Sequence, residues 1–239
     1  MSSGRFLDLG AFAPPGAPPR PVRVYVPRGV DPDRPHATLW LFDGQNVFHD
    51  EGSYAGGWHA HAAIDRVGDQ RHRRPVVVAV GNGGAHRIRE LGTHAEAFLD
   101  ALVATLVPRV ESVVHGRGPR VIGGSSLGGL AALQAWLRHP DVFSGAMAMS
   151  PSLWFAGRRL LRAIERGRAP LPPAGRLYLD AGAREKGRMF ADAERLAAVL
   201  GEAGLGPDRL RWRPDAKGTH HERHWRRRLP LAARFLFRR

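Results

Sequence analysis

Short apolar runs that alternate with stretches of helical spacing predict an α/β fold, with a mostly parallel central sheet, helices on both faces and a small lid or none. Two observations carry this. The runs at residues 38–42, 76–80, 121–122, 145–149 and 177–179 are almost continuously apolar, as strands covered on both faces are. One of them stops at glycines where a helical pattern begins at once, which is how a strand turns sharply into a helix. At 239 residues, 43% of them hydrophobic, the chain can bury a sizeable core, and a single domain over residues 1–239 is expected.

Taken in order, residues 1–21 hold a Pro-rich stretch and read as an extended N-terminal segment. Val22, Val24 and Val26 alternate with Arg23 and Tyr25 and suit a half-exposed edge strand. The apolar runs named above follow as central strands, and residues 210–213 read as the last strand. Helical spacing appears at residues 95–107, 127–137 and 190–200 and, after a break, at 231–237. Between residues 153 and 175 an Arg-rich helical piece runs into Ala169-Pro170-Leu171-Pro172-Pro173, a loop or small lid. There is no internal repeat and no low-complexity tract.

Composition narrows the function classes. The absence of cysteine excludes disulfides and thiolate metal sites. The net charge of +14 is carried by 34 arginines and two lysines, Lys186 and Lys217, among abundant Ala, Gly and Pro. That is a chain-wide bias rather than a basic stripe, so no specific nucleic-acid partner is expected. No apolar run suits a secretory signal or a membrane span, and a cytoplasmic protein without membrane contact is expected.

The informative segment is Gly124-Ser125-Ser126-Leu127-Gly128, a G-x-S-x-G pattern between a strand and a helix. A nucleophile on so sharp a turn has a strained backbone, and small residues two before and two after it let strand and helix approach. Ser126 is the candidate nucleophile, and the Leu127 N–H at the helix start is aimed at a developing oxyanion. A phosphate loop would need Gly-Lys-Ser/Thr, whereas Gly128 is followed by Gly129 and Leu130. The chain then supplies acids, Asp180 and Glu185, and later histidines, His220, His221 and His224, in the order serine, acid, histidine. His221-Glu222-Arg223-His224 is one residue short of H-E-x-x-H, so no metal is expected. The arginines at 158, 159, 162, 166 and 168 read as a solvated basic face.

These residues resemble the esterase group of the α/β-hydrolases that includes enterochelin esterase-like enzymes and is related to S-formylglutathione hydrolase and feruloyl esterases. The resemblance runs from about Val22 onward. It rests on residues 41–48, Trp58 with Ile64-Asp65, residues 80–84 with Arg87 and Glu90, the serine elbow, Ser150-Pro151-Ser152-Leu153-Trp154, residues 182–185, and the closing stretch from His220. It implies an α/β-hydrolase fold and a cofactor-free serine esterase acting on a small-molecule ester. Ser126 would be the nucleophile, Glu185 the acid, with Asp180 as runner-up, and His220 the base. His221 stands where the family pattern has Asn. The resemblance further implies Gln45 as the second oxyanion donor beside Leu127, and Arg87 and Trp154 as substrate contacts. A turn role for Asp43-Gly44 and a core role for Trp154 are the plain alternatives. Acyl transfer to an alcohol, or a basic binding module that retains the fold, are the rival functions.

Overall fold

The structure, a computed structural model, describes residues 4–30, 34–67 and 73–239. One eight-stranded sheet organises the described chain, in the order β1-β2-β4-β3-β5-β6-β7-β8. The strands are β1 (Arg5–Phe12), β2 (Arg20–Val26), β3 (Thr38–Phe42), β4 (Val76–Val80), β5 (Arg120–Ser125), β6 (Gly145–Met149), β7 (Arg176–Gly182) and β8 (Leu210–Asp215). The pairs β1/β2 and β2/β4 are antiparallel and the remainder are parallel. The helices are α1 (Ala60–Val67), α2 (Ala95–Ala101), α3 (Val107–Val114), α4 (Leu127–Arg138), α5 (Phe155–Glu165), α6 (Met189–Glu202) and α7 (Glu222–Leu236).

Side chains alternate across a strand, so each apolar run feeds two cores. Trp40, Phe42, Val76, Val78 and Ile122 face the side covered by α2 to α6. Leu39, Leu41, Val77, Ala79 and Val121 face α1 and α7. Burying each valine, leucine, isoleucine or phenylalanine among them stabilises the fold by about 1.5–3 kcal/mol, and a one-residue slip in register would exchange the two faces. The parallel register, with Gly124 opposite Ala148 and Met149 opposite Asp180, brings the carboxyl ends of β5, β6 and β7 to one edge.

Three expectations are corrected. The strand at 22–26 is not an edge: β1, formed by residues read as an extended arm, pairs outside it. Tyr25 and the three valines are accordingly buried. The Arg-rich helical piece expected between residues 153 and 175 forms as α5, its start kinked by left-handed backbone at Ala156, Gly157 and Arg158. In that stretch Arg158 lies 3.1 Å from the buried Asp192, so it does not belong to the solvated face. The last helix begins at Glu222, nine residues before the apolar spacing becomes visible. Its basic run and Pro230 mask a buried stripe of Trp225, Leu229, Ala232, Ala233 and Leu236, which outweighs the roughly 3 kcal/mol that an internal proline costs a helix.

Candidate active site

Ser126 sits between β5 and α4 with φ 56° and ψ −123°, a backbone region that side chains rarely occupy. The turn is held by the Ser126 N–H donating to Met149 O at 3.0 Å and the Ser152 N–H donating to Ser126 O at 3.0 Å. A Cβ built on Gly124 would lie 2.7 Å from the Gly128 carbonyl carbon, so strand and helix approach here on glycine alone. Ser126 is the N-cap of α4, yet its hydroxyl makes no capping bond. An N-cap serine ordinarily accepts from the next turn; here Oγ meets Ser152 Oγ at 3.2 Å instead. The neighbouring Ser125 is buried in β5.

At the end of β7 the chain turns through Gly182 to Glu185, whose side chain is fully buried. Gly182 packs on Gly218 so tightly that a Cβ would lie 2.4 Å from the Gly218 carbonyl, and the Arg184 N–H donates to Gly218 O at 3.0 Å. This contact clips the acid loop onto the loop that carries His220. Glu185 Oε2 lies 3.1 Å from His220 Nδ1, while Oε1 accepts from the Gly182 N–H at 2.8 Å and from Ser150 Oγ at 2.5 Å. Burial works to raise the Glu185 carboxyl, but the hydrogen bonds of His220, Ser150 and Gly182 outweigh it and hold the group below the usual carboxylate range. The His220 ring also stands edge-on to Trp225, with 4.8 Å between ring centres. Among the described residues no hydrogen bond joins His220 to Ser126; a contact of this kind commonly tightens only with substrate bound.

Asp180 is placed elsewhere. It is fully buried under the site, 3.2 Å from Arg228 Nε, and accepts from the Ser150 N–H. Burial pushes its carboxyl up to about 7 against the pull of Arg228. His221 is likewise apart from Glu185: it caps α7, its Nδ1 accepting from the Arg223 N–H at 3.3 Å.

Gln45 lies in a short 3₁₀ turn, Gly44–Asn46, directly after β3. Asp43, with φ 56°, enters that turn, and its carboxylate would lie 3.2 Å from a Cβ on Gly128. The Gln45 turn is thus packed beside the start of α4, whose first N–H groups lack acceptors within the helix. Arg87 grips the same aspartate with two bonds, Nε to Oδ1 at 2.6 Å and Nη2 to Oδ2 at 2.7 Å. Its guanidinium therefore braces the turn. Trp154 is 50% exposed on the loop two residues beyond Ser152 and packs edge-on against Phe155, so the core alternative for it does not hold.

Sequence reasoning assigned no role to the supporting residues, although Glu90 is among those that carry the resemblance. Glu90 forms a buried two-bond ion pair with Arg20, at the start of β2. Arg228, within the basic run of α7, is only 2% exposed and reaches both Asp180 and Asp215. Helical spacing held the signal: Arg228 follows Trp225 by three residues and therefore shares its buried face.

A sharp serine turn at the carboxyl edge of a mostly parallel sheet, with acid and histidine loops arriving from later strands, defines the α/β-hydrolase class. Within it the chain belongs to the family described as Putative esterase, which matches residues 17–236. It is 28% identical over 149 residues to the iron(III) salmochelin esterase of Escherichia coli O6:H1, covering 60% of this chain and 34% of that protein. The crystal structure of the enterobactin esterase from Shigella flexneri in the presence of enterobactin superposes with a TM-score of 0.78 at 24% identity, over 98% of this chain and 58% of that one. The BES protein from Bacillus cereus gives 0.76 at 19% identity, over 99% and 97%. The chain spans between a third and two-fifths of the length of the curated relatives it matches. No helix among the described residues is long and apolar enough to cross a membrane.

Proposed function

We propose that this chain hydrolyses a carboxylic ester through an acyl-enzyme on Ser126. The observation that carries the reading is the buried Glu185 carboxylate on His220 Nδ1, in the same loop cluster as a serine whose hydroxyl is left uncapped. With Nδ1–H held by Glu185, the lone pair of His220 is on Nε2, the tautomer needed to take the Ser126 proton. The Ser126 oxygen attacks the ester carbonyl, and the charge that develops on the carbonyl oxygen is received by the N–H groups of Leu127 and Gln45. The imidazolium, stabilised by Glu185, gives its proton to the leaving alkoxide. Water then enters, His220 takes its proton, and the acyl group departs as the acid with Ser126 restored.

An ester of the enterobactin kind is the favoured substrate, on the names of the relatives and on the exposed Trp154 at the site loop. Fluorophosphonate labelling, a panel of p-nitrophenyl esters and enterobactin itself test both parts. Labelling confined to Ser126, with turnover of at least one ester, is expected. A folded protein that neither labels nor turns over any of them refutes the esterase reading, whereas activity on simple esters but not on enterobactin refutes only the substrate.

A further inference from the structure

The hydroxyl of Ser150 is where the polar groups behind His220 meet. Ser150 directly follows β6, has no exposed surface and carries φ 41°. Its N–H faces Asp180, at 2.9 Å from the backbone O and 3.1 Å from Oδ1. Its Oγ accepts from Trp225 Nε1 and from Arg228 Nη2, both at 3.0 Å. A hydroxyl has two acceptor positions and one proton. With both acceptor positions taken, the rotor cannot turn, and the proton goes to Glu185 Oε1 at 2.5 Å. Oε1 is then pinned between Ser150 and the Gly182 N–H, which leaves Oε2 for His220. The hydroxyl also stands between Arg228 and Glu185. The guanidinium has carboxylate partners in Asp180 and Asp215, at 3.2 and 3.7 Å, and reaches Glu185 through the serine.

We propose that Ser150 is a positioning residue, whose hydroxyl, oriented by Trp225 and Arg228, sets the rotation of the Glu185 carboxylate that holds His220. The proposal rests on the catalytic reading of Ser126, Glu185 and His220. Left-handed backbone favours glycine, so serine stands at position 150 against local preference; what glycine could not supply there is the hydroxyl proton to Oε1.

The experiment is a double-mutant cycle on the full chain, read by fluorophosphonate labelling at saturating and limiting probe. Ser150→Ala and Ser150→Gly both remove the hydroxyl, but the glycine relaxes the backbone, so a loss shared by both variants is not a strain effect. Each is expected to lower the saturating rate about 10- to 100-fold, at or below the low end of the roughly 10²- to 10⁴-fold that acid–base assistance supplies, because Glu185 itself stays in place, with the half-saturating concentration unchanged. The downfield proton resonance of His220 Nδ1–H is expected to shift in both. In a Glu185→Gln background the same substitutions are expected to have little further effect, because Ser150 acts through Glu185. An equal loss in both backgrounds, or a normal saturating rate in Ser150→Gly while Glu185→Gln is impaired, overturns the positioning role. A normal rate in Glu185→Gln itself overturns the catalytic reading on which the role rests.

Discussion

Ser126 and Ser125 are adjacent, chemically alike and differently placed. Ser125 points into the buried end of β5, whereas Ser126 is at the turn with its hydroxyl uncapped. Ser126→Ala is therefore expected to abolish labelling and ester turnover with the fold intact, and Ser125→Ala to leave labelling in place; the reverse result would move the nucleophile by one residue. The two acids separate in the same way. Glu185→Gln leaves His220 without its anionic partner and is expected to lower turnover by about 10⁴-fold, the scale set by the wrong imidazole tautomer. Asp180 touches Arg228 and Ser150 rather than His220, so Asp180→Asn is expected to cost a small fraction of that. Steady-state kinetics of the two variants, with folding checked by circular dichroism, distinguish them. Glu185 was legible in the sequence through the family resemblance, which implies an acid three residues after Gly182. What singles it out from Asp180 is a contact across 35 residues of chain, which no local pattern encodes.

At the scale of elements, the site is assembled by close approach of backbones. Gly124 against Gly128 joins β5 to α4, and Gly182 against Gly218 joins the acid and histidine loops. In both places the nearest atoms are backbone, which cannot swing aside. Gly124→Ala is expected to destabilise by about 1–3 kcal/mol or more, as overpacking does, and to remove activity with it. Gly201 is the control. It is exposed near the end of α6 with nothing within 4 Å of a built Cβ, so Gly201→Ala is expected to stabilise by about 0.5–1 kcal/mol. Urea midpoints of the two variants give the comparison. The glycines of the elbow announced themselves by spacing, while Gly218 did not, because its partner comes from a different strand. The first half of α7 was hidden for a related reason: a run of arginines conceals the one, Arg228, that the tertiary structure buries.

For the molecule as a whole, the buried acids make stability depend on pH in opposite directions. Asp180 is raised in the folded state to about 7. Its contribution is fully present below the unfolded carboxylate value of about 4 and is lost as pH rises through 7. Glu185 is lowered, so its contribution is present above the unfolded value and is lost as pH falls through the folded one. Relative to Asp180→Asn, wild-type protein is expected to lose stability between about pH 4 and 7 and to level off above. Urea unfolding of both proteins at intervals across that range measures it, and parallel curves would show that Asp180 stays ionised throughout. Glu185→Gln is expected to flatten the acid side of the profile instead.

By itself the sequence determined the alternation of strands and helices, the serine turn, and the order serine, acid, histidine, because each is a local matter of side-chain periodicity, glycine sterics or spacing along the chain. It also placed the Gln45 turn at the end of a strand. The tertiary structure decided what depends on partners distant in sequence. It made β2 an interior strand by pairing β1 outside it. It put Arg87 on Asp43, and Glu185 rather than Asp180 on His220. It buried Arg228 beneath Ser150. The reason is that a charged side chain carries no local mark of its partner: whether it is solvated, paired or aimed at substrate is fixed by which loops the sheet order brings to one edge.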